Sequence, residues 1–252
     1  MKHGMPEVLV IGESHPDLFY YEDLEQKGQT VKFGKIRKKI SVSDLERAGT
    51  APNLLRKISP ATAIILGELR AIKNFGAKRI LYELPATTRN RQGCRNLLRT
   101  RNLAKFQKEL LHSIALHNEN FAQTMQFAGK KYGFQKINFD TTTNLAEVKV
   151  LSFLIGSTGV YDIHFFDDQD AIDKEGIYET LYDFALARHR AAKVTGLLRK
   201  ELRLARLKRD TLLVENTKKL VVDKTVIICG GDHLEDMVRG LRHDVYLTTL
   251  KL

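Results

Sequence analysis

Apolar and polar positions vary along this chain on two length scales. Short apolar runs rich in Val, Ile, Tyr and Phe occur at 8–11 (VLVI), 79–84 (RILYEL), 136–139 (KINF), 161–166 (YDIHFF), 225–229 (TVIIC) and 244–250 (DVYLTTL). Most end at a glycine or a polar residue, as buried strands do. Longer stretches with helical spacing lie between them. Residues 60–75 carry Ile64, Ile65, Leu69 and Ile72, with Gly76 as the stop. Residues 96–131 carry Leu97, Leu98, Leu103, Phe106, Leu110, Ile114, Phe121, Met125 and Phe127, and 171–220 form another stretch, with a break expected near Gly196. Strands alternating with helices predict an α/β fold with a mainly parallel central sheet flanked by helices. Residues 22–59 fit less well, and VKFGKIRKKISV is expected to be a hairpin or surface excursion. No Pro- or Ser-rich linker divides the chain, so one domain is expected over 1–252.

Open parallel sheets bind ligands beyond the carboxyl ends of their strands, so the residues after each run carry the candidate chemistry. VLVI is followed by Gly12-Glu13-Ser14-His15, and TVIIC by Gly230-Gly231-Asp232-His233. Both read strand, glycine, two residues, histidine, with a carboxylate in between. Glycine permits a sharp turn or a close approach. Histidine offers a nitrogen for metal binding or general base work, and a carboxylate can orient it. Glu83 closes RILYEL, followed by Pro85 and Arg89, and Arg89 is a candidate partner for Glu83 or for an anionic substrate group. Asp140 after KINF reads better as a cap or turn former. The acidic run Asp167, Asp168, Asp170 and Asp173 reads as a helix start, where acids suit the positive dipole end. Arg209 and Asn216, on the helix feeding TVIIC, are polar residues that could face the site, although on pattern alone they are surface residues.

Composition narrows the partners. The 252 residues are 43% hydrophobic, enough for a substantial core, and carry a formal charge of +11. That charge suits an acidic partner. Basic residues gather in two helical stretches, from Arg89 to Lys108 and from Arg188 to Arg209. Such stretches are most often solvated faces, and nucleic acid or anionic lipid are the partners they would fit. Cys94 and Cys229 show no ligand or disulfide spacing. No signal-peptide-like stretch and no transmembrane span are expected, which points to the cytoplasm or to export without a classical signal peptide. Zinc-finger, phosphate-loop, dinucleotide and serine-hydrolase fingerprints are absent.

The motif set as a whole resembles the erythromycin esterase, ChaN, TraB and Tiki superfamily. Gly12-Glu13-Ser14-His15 resembles its opening motif. Tyr82-Glu83-Leu84-Pro85 with Arg89 resembles its strand-end glutamate and downstream arginine, Arg209-Asp210 its arginine-bearing helix, and Gly230-Gly231-Asp232-His233-Leu234 its closing motif. The resemblance implies one α/β domain whose motifs converge on a site of Glu13, His15, Glu83, Arg89, Arg209 and His233. It implies a hydrolase of ester or of peptide and amide bonds, acting on a small molecule or a peptide. His15, His233, Glu13 and Glu83 would hold a divalent metal (manganese, zinc or iron), or a histidine would act as base without one. It also implies an alternative, haem binding of the ChaN type, for which Tyr20 and Tyr21 are the candidate ligands beside His15. The high positive charge and the 22–59 excursion depart from the family pattern.

Overall fold

The computed structural model describes residues 4–13, 60–87, 105, 121–134 and 158–251. Five strands form one sheet: β1 (Glu7–Glu13), β2 (Arg79–Pro85), β3 (Ile163–Asp167), β4 (Thr225–Gly230) and β5 (Tyr246–Lys251). Their spatial order is β3-β2-β4-β1-β5, and every neighbouring pair is parallel. The helices are α1 (Pro60–Phe75), α2 (Gln169–Ala187), α3 (Ala192–Leu220) and α4 (Leu234–Leu241), the last entered through a 3-10 turn, Gly231–His233. Residues 121–131 are also helical. The chain is therefore α/β, as its sequence pattern predicts. The run at 136–139 and the excursion at 22–59 lie outside the described residues.

The inner strands β1, β2 and β4 are largely apolar because both faces of the sheet are covered there, whereas the edge strand β5 is mostly exposed. Leu9, Ile11, Ile80, Tyr82, Val226 and Ile228 face one side, against Leu69 and Ile72 of α1. Val8, Val10, Leu81, Ile227 and Cys229 face the other, against Leu213 of α3 and Met237 and Leu241 of α4. The central strand, β4, is buried at all six positions. A further cluster joins Phe121, Met125 and Phe134 to Leu181 and Ala185 of α2 and Leu198 of α3.

Strand order fixes where a ligand could enter. Among the described strands, the next in sequence after β2 is β3, on its outer side. From the end of β4 the chain goes the opposite way, past β1 to β5. Connections that diverge from adjacent parallel strands leave a crevice at their carboxyl ends. That crevice lies where Glu83 closes β2 and Gly230 closes β4.

The helix ends are partly as expected. α1 stops at Gly76, which takes φ +66°, a left-handed geometry that glycine adopts without strain. The break expected near Gly196 falls instead at 188–191, and Gly196 lies inside α3. His189 takes the left-handed position (φ 48°), its N–H donating to Leu186 O while Arg190 N–H donates to Ala185 O. This is a Schellman closure made without glycine, so glycine content pointed to the wrong place. None of the described helices is long and apolar enough to cross a membrane.

One buried polar group in α3 gives a stability test. Thr217 is fully buried, and its hydroxyl has no hydrogen-bond partner among the described residues. Replacing it with the near-isosteric valine removes a desolvated hydroxyl worth ~1–3 kcal/mol. Thr217→Val is expected to raise the melting midpoint by about 2–4 °C per kcal/mol gained. A lowered midpoint would show that the hydroxyl is satisfied.

Candidate functional site

The site begins with the placement of Glu83. It shares the parity of Leu81, so its side chain projects on the α3 and α4 side of the sheet. Its Oε2 accepts a 2.7 Å hydrogen bond from Gly230 N–H, clipping the ends of β2 and β4 together. Its Oε1 accepts a 2.6 Å bond from Arg209 Nη2.

Arg209 reaches inward because of its helical phase. Leu202, Ala205, Leu213 and Thr217 form the buried stripe of α3, and Arg209 sits in that stripe four residues after Ala205 and four before Leu213. Its guanidinium donates from Nε (3.0 Å) and Nη2 (2.6 Å) to Asp167 Oδ2 at the end of β3. Its Nη1 donates to Glu175 Oε2 of α2 at 3.1 Å. Arg206, one turn earlier, donates from Nε to Glu175 Oε1 at 3.0 Å and from Nη2 to Glu179. One planar cation thus bonds carboxylates from β2, β3 and α2, which a lysine ammonium could not match in geometry.

Burial sets the ionisation of this cluster. Desolvation pushes the Glu83 carboxyl above the ordinary carboxylate range, and His233 and Arg209 only partly offset it. Asp167, 1% exposed, is also raised by desolvation against the opposing pull of Arg209. Burial alone would lower Arg209, but Asp167, Glu83 and Glu175 outweigh it and hold the guanidinium more firmly protonated than usual.

His233 is held from two sides. Its Nδ1 lies 2.7 Å from Asp210 Oδ1, and its Nε2 lies 3.5 Å from Glu83 Oε1. With a proton on Nδ1 donated to Asp210, Nε2 presents a lone pair toward Glu83, too far for a good hydrogen bond. The imidazole is 14% exposed, so one edge meets solvent. The 3-10 turn after Gly230 delivers it, and β1 fixes that turn. A Cβ at Gly12 would lie 3.0 Å from Leu234 Cδ2 and 3.1 Å from Leu234 Cβ, so glycine is what lets α4 begin this close to β1. The partner that approaches Gly12 is thus the residue following His233.

The expected site residues divide as follows. Glu83, Arg209 and His233 converge at the switch point. Glu13 reaches it in backbone register, paired with Gly230. The Glu13 carboxylate, His15, Arg89, Tyr20 and Tyr21 lie outside the described residues. Arg209 is the shared cation of a part-buried network and not the surface residue its pattern alone suggests, and it is a partner of Glu83, the role also considered for Arg89. Asn216 also turns inward, donating to Phe166 O. Within the acidic run, Asp168 caps α2 by accepting from Ala171 N–H, as a helix start requires. Asp167, one residue earlier, belongs to the site and was missed. The carboxylate that holds His233 is Asp210, not the adjacent Asp232. Two signals were present in the sequence: an arginine in phase with an apolar stripe, and the matched pairs Glu175/Glu179 and Arg206/Arg209.

Among the described residues, no group of three His, Cys, Asp or Glu side chains could hold a metal ion. Glu83 is committed to a guanidinium and a backbone N–H, while Nε2 of His233 lies 3.5 Å from Glu83 Oε1. The described donors fit a metal only in part. No family model, curated protein or solved structure matches this chain.

Two outcomes test the network. Arg209→Met leaves Asp167, Glu83 and Glu175 facing one another without their shared cation. It is expected to cost about 3–5 kcal/mol in denaturant melts. A cost under ~1 kcal/mol would mean that the network is not formed. The second test uses pH. Because folding raises the Glu83 carboxyl, the folded state keeps a proton that the unfolded chain loses first. Its stabilisation is full below the ordinary carboxylate range and is lost as pH rises through the folded value. Stability of the native chain relative to Glu83→Gln should therefore fall with rising pH in that window, by up to about 1.4 kcal/mol per pH unit. An opposite slope would contradict the assignment.

Proposed function

We propose that this chain is a hydrolase of ester, peptide or amide bonds, organised as in the erythromycin esterase, ChaN, TraB and Tiki superfamily, with His233 as its general base. The observation that carries the reading is the imidazole held between Asp210 and Glu83 at the switch point of a parallel sheet. A base that is itself oriented by a carboxylate is the arrangement that activates water or a nucleophile. Asp210 fixes the Nδ1–H tautomer, so Nε2 can take a proton from water as the oxygen attacks the substrate carbonyl. The imidazolium then returns that proton to the leaving alcohol or amine. Glu83, 3.5 Å away, stabilises the imidazolium while it exists. Arg209 acts at one remove, holding Glu83 in place.

The resemblance would bring Glu13 and His15 to the crevice and would have Arg89 supply positive charge to the oxyanion. A divalent metal held by His15, His233 and Glu13 would add Lewis acidity and a more acidic bound water. Recruiting Glu83 as a further ligand would require Oε1 to leave Arg209.

The reading is tested with p-nitrophenyl esters and a fluorogenic peptide library, assayed with and without added manganese or zinc. His233→Ala is expected to lower kcat/KM by about 10²–10⁴-fold with the melting midpoint retained. Asp210→Asn should lower it less and move the acidic limb of the pH profile. Full activity in His233→Ala would sink the proposal.

A further inference from the structure

We propose that the outer face of α3, with the α2–α3 turn, is a docking surface for an anionic lipid bilayer. It is the side of α3 opposite the candidate site. Residues 186–208 contain eight Lys or Arg and one acid, Glu201. Glu201 is drawn toward α2 by a hydrogen bond with Tyr178, so every exposed charge in this stretch is basic or histidine. Arg206 is neutralised by Glu175 and Glu179. Arg188 and Arg190 are tethered over the rings of Phe184 and Phe134. Lys193, Arg199, Lys200, Arg203 and Lys208 are exposed and have no carboxylate partner among the described residues. A helix face that served only to stay solvated would mix both signs. This one does not.

Leucines choose between the acidic partners. Leu197, Leu204 and Leu207 are each about half exposed on α3, and Leu186 is similarly exposed across the turn. At 100° per residue the three α3 leucines fall within an arc of about 80°. Lys193 and Lys200 lie inside that arc, Lys208 borders one side, and Arg203 and Arg199 extend the other. Apolar side chains interleaved with long cationic ones fit the boundary between headgroups and acyl chains, where leucines enter and ammonium groups meet phosphates. A nucleic-acid backbone would satisfy the charges and leave the leucines without apolar partners. α3 is pinned to the sheet on its inner side by Arg209, so the surface is preformed and pays no folding cost on binding.

The test uses the full chain and sedimentation with vesicles. Binding is expected to phosphatidylcholine vesicles containing phosphatidylserine and not to pure phosphatidylcholine. The double variant K200E/R203E should weaken it by about tenfold or more. The double variant L204S/L207S should weaken it too, and more so at high salt, where the electrostatic share is screened. Both variants change exposed residues only, so unchanged melting curves are expected. Failure to sediment with anionic vesicles would overturn the proposal. So would binding to duplex DNA that falls with salt while the leucine variant keeps full affinity for both DNA and vesicles.

Discussion

Everything at the carboxyl edge of this sheet depends on the guanidinium of Arg209. It is a buried cation, and desolvating it costs several kcal/mol unless its donors are met. Asp167 from β3, Glu83 from β2 and Glu175 from α2 meet them. Each of those carboxylates is costly to bury alone, so the four groups are tolerable only together. The mutual requirement fixes the height and rotation of α3 against the strand ends more sharply than apolar packing could, because leucine contacts are non-directional and N–H···O bonds are not. It also explains why Glu83 and Asp167 sit above the usual carboxylate range: one cation offsets only part of the desolvation of several acids.

The candidate base inherits this order. Asp210 follows Arg209 in α3, so pinning the arginine pins the carboxylate that meets His233. Glu83 is pinned by the same guanidinium and by Gly230 N–H, and His233 lies three residues beyond Gly230. The imidazole is therefore located from both sides by groups that share one anchor. A third restraint is the seat of Leu234 over Gly12, which lets α4 start directly above β1. The candidate site is held by strand ends, α3 and the short 3-10 turn that leads into α4, which favours precise positioning.

α3 faces two ways. Its inner stripe carries Arg209 and the contact to His233, while its outer face carries half-exposed leucines and lysines and arginines with no carboxylate partner among the described residues. A bilayer contact on the outside would set the orientation of the crevice relative to the membrane, since one rigid helix bears both. Arg206 and Arg209 show that the basic stretch is not uniform. Two of its members are structural, and the charge left for a partner is what remains after they are subtracted.

The fold was legible because period is a local property. Apolar runs at 8–11, 79–84, 161–166, 225–229 and 244–250 announced strands, and their alternation with helical stretches announced a mainly parallel sheet. The glycines were half legible. Gly76 ends α1 as expected, but Gly196 ends nothing, because His189 supplied the left-handed turn. In the site, Glu83 and His233 stood out because strand ends are where an open parallel sheet binds ligands. Asp167 and Asp210 did not, because an acid before a helix and an acid within a basic helix each have an ordinary local explanation. The sequence by itself determined the described strands, the α/β class and, among the polar residues at the crevice, Glu83 and His233 by their place at strand ends and Arg209 through the resemblance. Only the tertiary structure decided which carboxylate holds the histidine and which arginine holds the carboxylates. Those pairings join residues up to 126 positions apart, and they are selected by the cost of burying each charge without the others.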